Sequence, residues 1–518
     1  MNKNLVLVFS SIVGIAILAY SWILSYPLSI GASLDEFVFN NISIMYWLGL
    51  PFTLVSLYLI NTRVKHQIIK WLLTFCLIMT MYSISYFYSM IPTSDSHYFR
   101  GLTESYINTS DPSSWKSISL YFEWPNYFSL AKITTAVSGL NVIQYEFILY
   151  TLIGFLLITA LYCHYSKTQK KTAFIGVTCY FIINYYYLNF QSAPFSLALS
   201  LLLLLFFLEK NSPDSFEMFF VKILLFLGIT GTHAFVPVFY IVFQFVLYVL
   251  HRNPKNLRFI LLTIAIFSTW QIFLAPTSFT RNFQLLFSQS PEYIRTIEGT
   301  LETSLVPFDA TAQTFSRIVT ITTIIISVIG FLTLLVKKKV NLTDKALFIS
   351  GLLYSILGVL VYLLGTRALS ILTIPISLGI TYWWSSKYKK YIKFLFFILL
   401  ILFLFIPLHQ SFYDRDILFQ TQEAYHAENF FIDNYNGSDR SLILTNYRVY
   451  TYVSPKVSGA IFSYDPLEYE NADFIIYTIG MGRYLNKQNY TMQNIMSSQK
   501  MNQIYSNGIS SVALKSGT

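Results

Sequence analysis

The stretch Ile91-Pro-Thr-Ser-Asp-Ser-His-Tyr-Phe-Arg-Gly-Leu-Thr-Glu104 follows directly on an apolar run at positions 68–90. This dense group of ionisable side chains stands in a chain of which only 12% of the residues are charged. A loop that only connects two apolar segments can be much shorter, so the stretch predicts a functional site beside a membrane span. A solvated loop without a role is the alternative.

The composition sets the class of protein. The chain has 518 residues, of which 54% are hydrophobic, whereas a soluble domain carries about 25% charged residues. This combination predicts a polytopic α-helical membrane protein. The net charge of +10 lies in short basic clusters between apolar runs, which favours membrane topology over nucleic-acid binding. Cys76, Cys163 and Cys179 lie inside apolar runs, so neither a disulfide nor a zinc site is expected.

Apolar segments long enough to cross a hydrocarbon core of roughly 30 Å recur along the chain, and we expect about 13 transmembrane helices. The predicted spans are 4–27, 43–62, 68–90, 143–163, 172–190, 193–209, 217–233, 234–250, 257–276, 315–336, 345–365, 368–386 and 391–409.

Basic residues fall in alternate connections between these spans. The basic connections hold Arg63 and Lys65, Lys167 to Lys171, Lys210, Arg252 to Arg258, Lys337 to Lys339, and Lys387 to Lys390. Because such clusters stay in the cytoplasm, one register fits the whole chain, with the N-terminus inside and the C-terminus outside.

This register divides the chain into a transmembrane domain, 1–409, and an extracytoplasmic tail, 410–518. It also places the loops 91–142 and 277–314 on the outer face. The tail is rich in Asn, Asp, Ser and Tyr, and its short apolar stretches 441–445, 472–477 and 510–514 predict strands of a small α/β domain. Tyr127 to Leu140 is apolar at helical spacing and ends at Ser-Gly, which favours a helix lying in the membrane interface.

The outer loop contains the first candidates for chemistry. A carboxylate at Asp95 can orient an acceptor hydroxyl or amide, or bind a divalent cation such as Mg²⁺ or Mn²⁺ together with His97. If a helix starts near Ser96, Arg100 and Glu104 lie on one face of it. A capping role for Asp95 at the start of that helix is the alternative.

Two further candidates lie elsewhere on the predicted outer face. His233 ends a span, where an ionisable side chain is costly and therefore a functional candidate, although a hydrogen-bonded histidine at a helix end is the competing interpretation. Arg367 stands alone between two apolar spans and suits a phosphate group. Arg367 can instead extend towards lipid headgroups.

The pattern resembles the GT-C superfamily of membrane glycosyltransferases, which use polyprenyl-phosphate-linked sugars. The similarity lies in Asp95-Ser-His-Tyr-Phe-Arg100 with Glu104, in Trp124-Pro125 with the apolar helix after it, and in Arg367 followed by Leu372-Thr-Ile-Pro-Ile-Ser-Leu. The stretch 277–314 lacks an Asp-x-Asp motif, so the metal stays unknown.

The resemblance implies a glycosyltransferase at the cell membrane that moves a sugar from a lipid-linked donor to an acceptor on the outer face. It implies catalytic roles for Asp95, His97 and Glu104, and substrate binding by Arg100, His233 and Arg367. Membrane lipids and the lipid-linked donor are the expected partners, nucleic acid is not, and partner subunits are unknown. A polysaccharide polymerase or ligase and a non-enzymatic transporter or lipid flippase are the alternatives.

Overall fold

A computed structural model describes the helical part of the chain and a smaller sheet. The longer described pieces are residues 66–83, 94–108, 119–170, 172–184, 193–211, 215–252, 254–280, 328–336, 340–361, 365–385 and 422–435, to which strand residues and short pieces elsewhere are added. The described residues are mostly helical.

The main helices follow one another in chain order. They are α1 (Gln67–Ser83), α2 (Ser94–Asn108), α3 (Asn126–Ser138), α4 (Val142–Gln169), α5 (Ala173–Ile183), α6 (Pro194–Asn211), α7 (Phe216–Thr230), α8 (Val236–His251), α9 (Pro254–Thr269), α10 (Leu342–Val361), α11 (Gly365–Ser385) and α12 (Gln422–Asn434). A 3₁₀ turn, Leu120–Glu123, precedes α3, and a π turn, Trp270–Leu274, continues α9.

Helix α5 lies at the centre of the bundle. All of its described side chains are buried, which fits a helix that is apolar on every side. It packs between α4 and α11, while α4 also contacts α6 and α1, and α10 contacts both α8 and α11. One apolar core therefore runs through these helices.

Small residues and hydroxyl groups mediate the closest helix contacts. A Cβ at Gly176 of α5 would collide with Thr381 of α11 and lie 2.8 Å from Tyr165 Cδ2. The Tyr165 hydroxyl donates to the Ile374 carbonyl of α11 at 2.9 Å, and Thr172 Oγ1 donates to the Thr381 carbonyl at 3.0 Å. Interfaces of this type, with small residues and interhelical hydrogen bonds, are typical of helices packed within a membrane.

The tail forms a five-stranded sheet of order β2-β1-β3-β5-β4. Its strands are β1 (Leu442–Leu444), β2 (Ile461–Ser463), β3 (Phe474–Tyr477), β4 (Met501–Ser506) and β5 (Ser511–Lys515). Strand β1 pairs in parallel with β2 and β3, whereas β5 pairs antiparallel with β3 and β4. Ala427 and Phe431 of α12 share a buried cluster with Ile443, Ile476 and Val512 of the sheet.

Several predicted elements are present in the structure. The stretches predicted as strands at 441–445, 472–477 and 510–514 overlap β1, β3 and β5, and the helix predicted from Tyr127 corresponds to α3. Among the described residues, two helical segments are long and apolar enough to cross a membrane, Val142–Lys167 and Leu257–Leu274. The predicted span 391–409 and the part of the outer loop beyond position 280 lie outside the described residues.

Candidate functional site

Helix α2 contains the polar stretch and is embedded in the bundle. Phe99, Leu102 and Tyr106 are buried, although the helix as a whole is polar. The Tyr106 hydroxyl forms a hydrogen bond with Ser129 Oγ of α3 at 2.9 Å, and Lys132 Nζ donates to the Tyr106 carbonyl at 3.4 Å. From Phe99 to Tyr106 the segment is therefore a packed helix.

A buried ion pair joins α2 to α4. Arg100 Nε and Nη2 each lie 2.8 Å from Glu146 Oε2, and the two side chains are 1% and 2% exposed. Glu146 lies near the start of α4, where Asn141 and Gln144 form a capping box that fixes the first turn. The carboxylate thus stands near the positive end of the α4 dipole and faces a guanidinium group.

Tyr127 of α3 completes the surroundings of this pair. Burial raises the pKa of Tyr127 well above its usual value, and the negative charge of Glu146 adds to the rise. The hydroxyl therefore stays neutral at physiological pH. Phe99 lies in edge contact with Tyr127, with ring centroids 6.2 Å apart. Three helices, α2, α3 and α4, thus meet around Arg100.

The turn between α7 and α8 packs against the start of α3. Asn126 N donates to the Gly231 carbonyl at 3.0 Å, and Asn126 Nδ2 donates to the Gly228 carbonyl at 3.2 Å. A Cβ at Gly231 would lie 2.7 Å from Asn126 Cγ, so only glycine permits this approach. His233 follows in the same turn, is 6% exposed, and accepts the Phe235 N–H through Nδ1 at 3.2 Å.

Glu123 ties the outer loop to the end of α9. Its carboxylate accepts the N–H groups of Thr277 at 3.2 Å and Ser278 at 2.8 Å, so it caps the helical residues that follow Ala275. Its carbonyl accepts the Trp270 indole N–H at 3.2 Å. Trp124 lies in the same cluster as Trp270, together with Ala234 beside His233. The predicted loop 91–142 therefore contacts the first residues of the predicted loop 277–314 through Glu123.

The structure places the predicted site residues on three elements. Asp95, His97, Arg100 and Glu104 all belong to α2, where Asp95 and His97 occupy the first turn. His233 lies in the turn between α7 and α8, and this turn contacts the start of α3, which in turn packs against α2. Arg367 lies in the first turn of α11. For Asp95, His97 and Arg367 the structure describes the backbone and not the side chain. The assembly of all six predicted site residues around one substrate therefore stays a prediction.

Comparison with known proteins adds no assignment. The chain matches no protein-family model and no curated protein. The resemblance to GT-C enzymes thus rests on the sequence stretches quoted above.

A second buried ionic cluster lies at the other end of α4. Asp344 of α10 is fully buried, and its carboxylate receives Lys210 Nζ of α6 at 2.8 and 3.1 Å and the Tyr382 hydroxyl of α11 at 3.0 Å. His164 Nε2 of α4 lies 3.3 Å from the same carboxylate. This His164–Lys210–Asp344–Tyr382 cluster links four helices on the predicted cytoplasmic side.

Sequence reasoning missed the residues that anchor these two ends. Glu146 falls inside the predicted span 143–163. The sequence pattern around His164 and Asp344 predicts no role for either residue. An acidic side chain within an apolar span is itself a signal, because it needs a partner in the bundle. That signal identifies Glu146 as a candidate but not Arg100 as its partner.

No metal centre was located in the described part of the chain. There, no group of three or more His, Cys, Asp or Glu side chains is arranged to hold a metal ion. The side chains of the predicted pair, Asp95 and His97, lie outside the described part of the chain.

Proposed function

We propose that this protein is a membrane glycosyltransferase resembling the GT-C superfamily. It transfers a sugar from a polyprenyl-phosphate donor to an acceptor at the outer face of the cell membrane. In this proposal about 13 helices span the membrane, the N-terminus is inside, and residues 410–518 form an extracytoplasmic α/β domain.

The observation that supports the proposal most is the burial of α2. A polar helix costs free energy when it is taken into an apolar bundle, and here the cost includes a fully buried guanidinium group at Arg100. A connecting segment has no need for this arrangement. A catalytic helix does, because its reacting groups must be held within about 0.5 Å of the productive geometry.

The donor requires three environments, and the chain offers a candidate for each of them. Its prenyl tail needs lipid. Helix α4 is long enough to cross the hydrocarbon core, for which about 20 apolar residues are sufficient. Its phosphate needs a cation at the interface, for which Arg367 and His233 are the candidates. Its sugar needs a carboxylate, which Asp95 supplies as base or as the group that orients the acceptor.

Arg100 has a different place in this proposal from the one that the resemblance implies. The contact described for its guanidinium group is with Glu146, on the inner side of α2. Direct binding of the substrate by Arg100 stays a prediction, and the proposal does not depend on it.

Purified protein in lipid nanodiscs, supplied in turn with polyprenyl-phosphate sugars carrying a labelled hexose, tests the proposal. We expect donor-dependent product from the wild type and a loss of at least about 100-fold in Asp95→Asn, the scale of one general base. Asparagine caps a helix about as well as aspartate, so a capping role predicts wild-type activity in this variant. Movement of intact donor across a vesicle membrane without product would instead support a flippase.

A further inference from the structure

The geometry around Arg100 assigns a role to Glu146 that neither the sequence pattern nor the resemblance provides. We propose that Glu146 is a positioning residue, which acts through Arg100 to fix the rotation and depth of α2 and hence the location of Asp95 and His97. This inference rests on the proposed function, in which Asp95 acts on the substrate.

A contribution to stability does not by itself explain why this ion pair is buried. Burying two charges costs several kcal/mol for each ion, and an apolar pair of similar volume is often as stable or more stable. What an apolar pair does not supply is direction. Two N–H groups of the guanidinium converge on one carboxylate oxygen, and these directional hydrogen bonds fix the place where α2 and α4 meet.

Helix α2 is held from two sides. Leu102 and Tyr106 lie on one stripe, four residues apart, and Tyr106 bonds to α3 through Ser129. Arg100 lies far around the helix from that stripe, at 100° per residue, and bonds to α4. Because the two contacts lie on different faces of α2, each opposes a rotation of the helix that the other permits.

Positions 95 and 97 follow this rotation because they belong to the same helix. Position 95 precedes Leu102 by two turns and therefore falls on the same stripe of the helix. Position 97 precedes Glu104 by two turns and falls on a different stripe. A turn of α2 by one residue would move both positions by several ångströms, and a displacement of about 1 Å can cost about 100-fold in rate.

Steady-state kinetics on full-length variants test the role. We expect Glu146→Gln to lower kcat by about 10- to 100-fold, while the KM for the donor stays within about twofold. The double variant Arg100→Met/Glu146→Leu keeps the volume and removes both buried charges, so it should fold as well as the wild type. Positioning predicts that its kcat nevertheless stays low. Wild-type kcat in this double variant overturns the proposal.

A labelling experiment measures the position of α2 without relying on activity. Cysteine is placed at position 95 in a chain whose Cys76, Cys163 and Cys179 are replaced by alanine, and its rate of reaction with a membrane-impermeant maleimide is followed. We expect this rate to change at least about fivefold when Glu146→Gln or the double variant is added, on the scale of a coupling of about 1 kcal/mol.

Asp344→Asn is the matched control, since it also breaks a buried ion pair but at the far end of α4. It should leave the rate at position 95 unchanged. An unchanged rate in both Glu146 variants, or an equal change in Asp344→Asn, overturns the positioning role. If the wild type transfers no sugar, the proposed function fails, and the labelling rates still decide whether Glu146 positions α2.

Discussion

Glu146 and His164 lie on the same face of α4, about five turns apart, and each belongs to a buried ionic cluster. The distance between them along the helix is about 27 Å, close to the thickness of a hydrocarbon core of roughly 30 Å. The side chains between them are mainly apolar. The two clusters thus stand where the two edges of a membrane would lie if α4 crosses it.

The Arg100–Glu146 pair should show the energetics of a buried ion pair. Glu146→Leu alone leaves a buried guanidinium group without its partner, and we expect a loss of about 3–5 kcal/mol in the free energy of unfolding. Arg100→Met/Glu146→Leu should lie within about 1 kcal/mol of the wild type or above it. Thermal unfolding in detergent, monitored by size-exclusion chromatography, measures the stability of the single and the double variant. Equal losses in the single and double variants would contradict the account.

Part of this arrangement could be predicted from the sequence. The limits of α3 follow from Pro125 before it and from Gly139 after it, which ends the helix in the left-handed conformation. Helix α2 begins at Ser94, close to the predicted start near Ser96. These features are local, because caps and apolar spacing act within a few residues.

The partners of the buried charges could not be predicted in the same way. Arg100 and Glu104 lie four residues apart in α2, but that spacing does not indicate Glu146, the described partner of Arg100, which lies far along the chain on another helix. Asp344 likewise meets Lys210 and His164 only after α4, α6 and α10 have packed. Such pairs depend on the tertiary arrangement, which the local patterns of a single sequence do not reveal.

Gly231 should be intolerant of a side chain. In Gly231→Ala the new Cβ would collide with Asn126 and separate α3 from α7, so we expect a loss of about 1–3 kcal/mol in the free energy of unfolding. Gly228→Ala, one turn earlier, meets only Leu201 Cδ1 at 3.4 Å and should be neutral or stabilising by up to about 1 kcal/mol. The same unfolding assay compares them, and similar losses in both variants would argue against the close packing.

The residues of the Asp344 cluster should contribute unequally to the free energy of unfolding. Asp344→Asn removes the charge that faces Lys210 and His164, and we expect a loss of about 3–5 kcal/mol. Tyr382→Phe removes a single hydrogen bond to the carboxylate and should cost less, about 1.5–3 kcal/mol. The difference in unfolding midpoint between these variants is the measurement. A larger effect for Tyr382→Phe would show that charge pairing is not what holds this end of the bundle.

The topology can be tested with two exposed positions. Lys170 follows α4 on the predicted cytoplasmic side, and His426 lies on α12 of the predicted outer domain. In a chain without native cysteines, an impermeant maleimide added to intact cells should label His426→Cys and spare Lys170→Cys, and permeabilised cells should show both. Labelling of Lys170→Cys in intact cells would reverse the orientation proposed for the chain.

The most direct measurement of the central claim is sugar transfer in sealed vesicles whose outer leaflet corresponds to the outer face of the cell membrane. Labelled polyprenyl-phosphate sugars are added outside, and the wild type is compared with Asp95→Asn and with Asp35→Asn, which removes a carboxylate that follows the predicted span 4–27. The account predicts product with the wild type and Asp35→Asn, and a loss of at least about 100-fold with Asp95→Asn. Equal product from the wild type and Asp95→Asn would contradict the assignment of Asp95 and the site built around it.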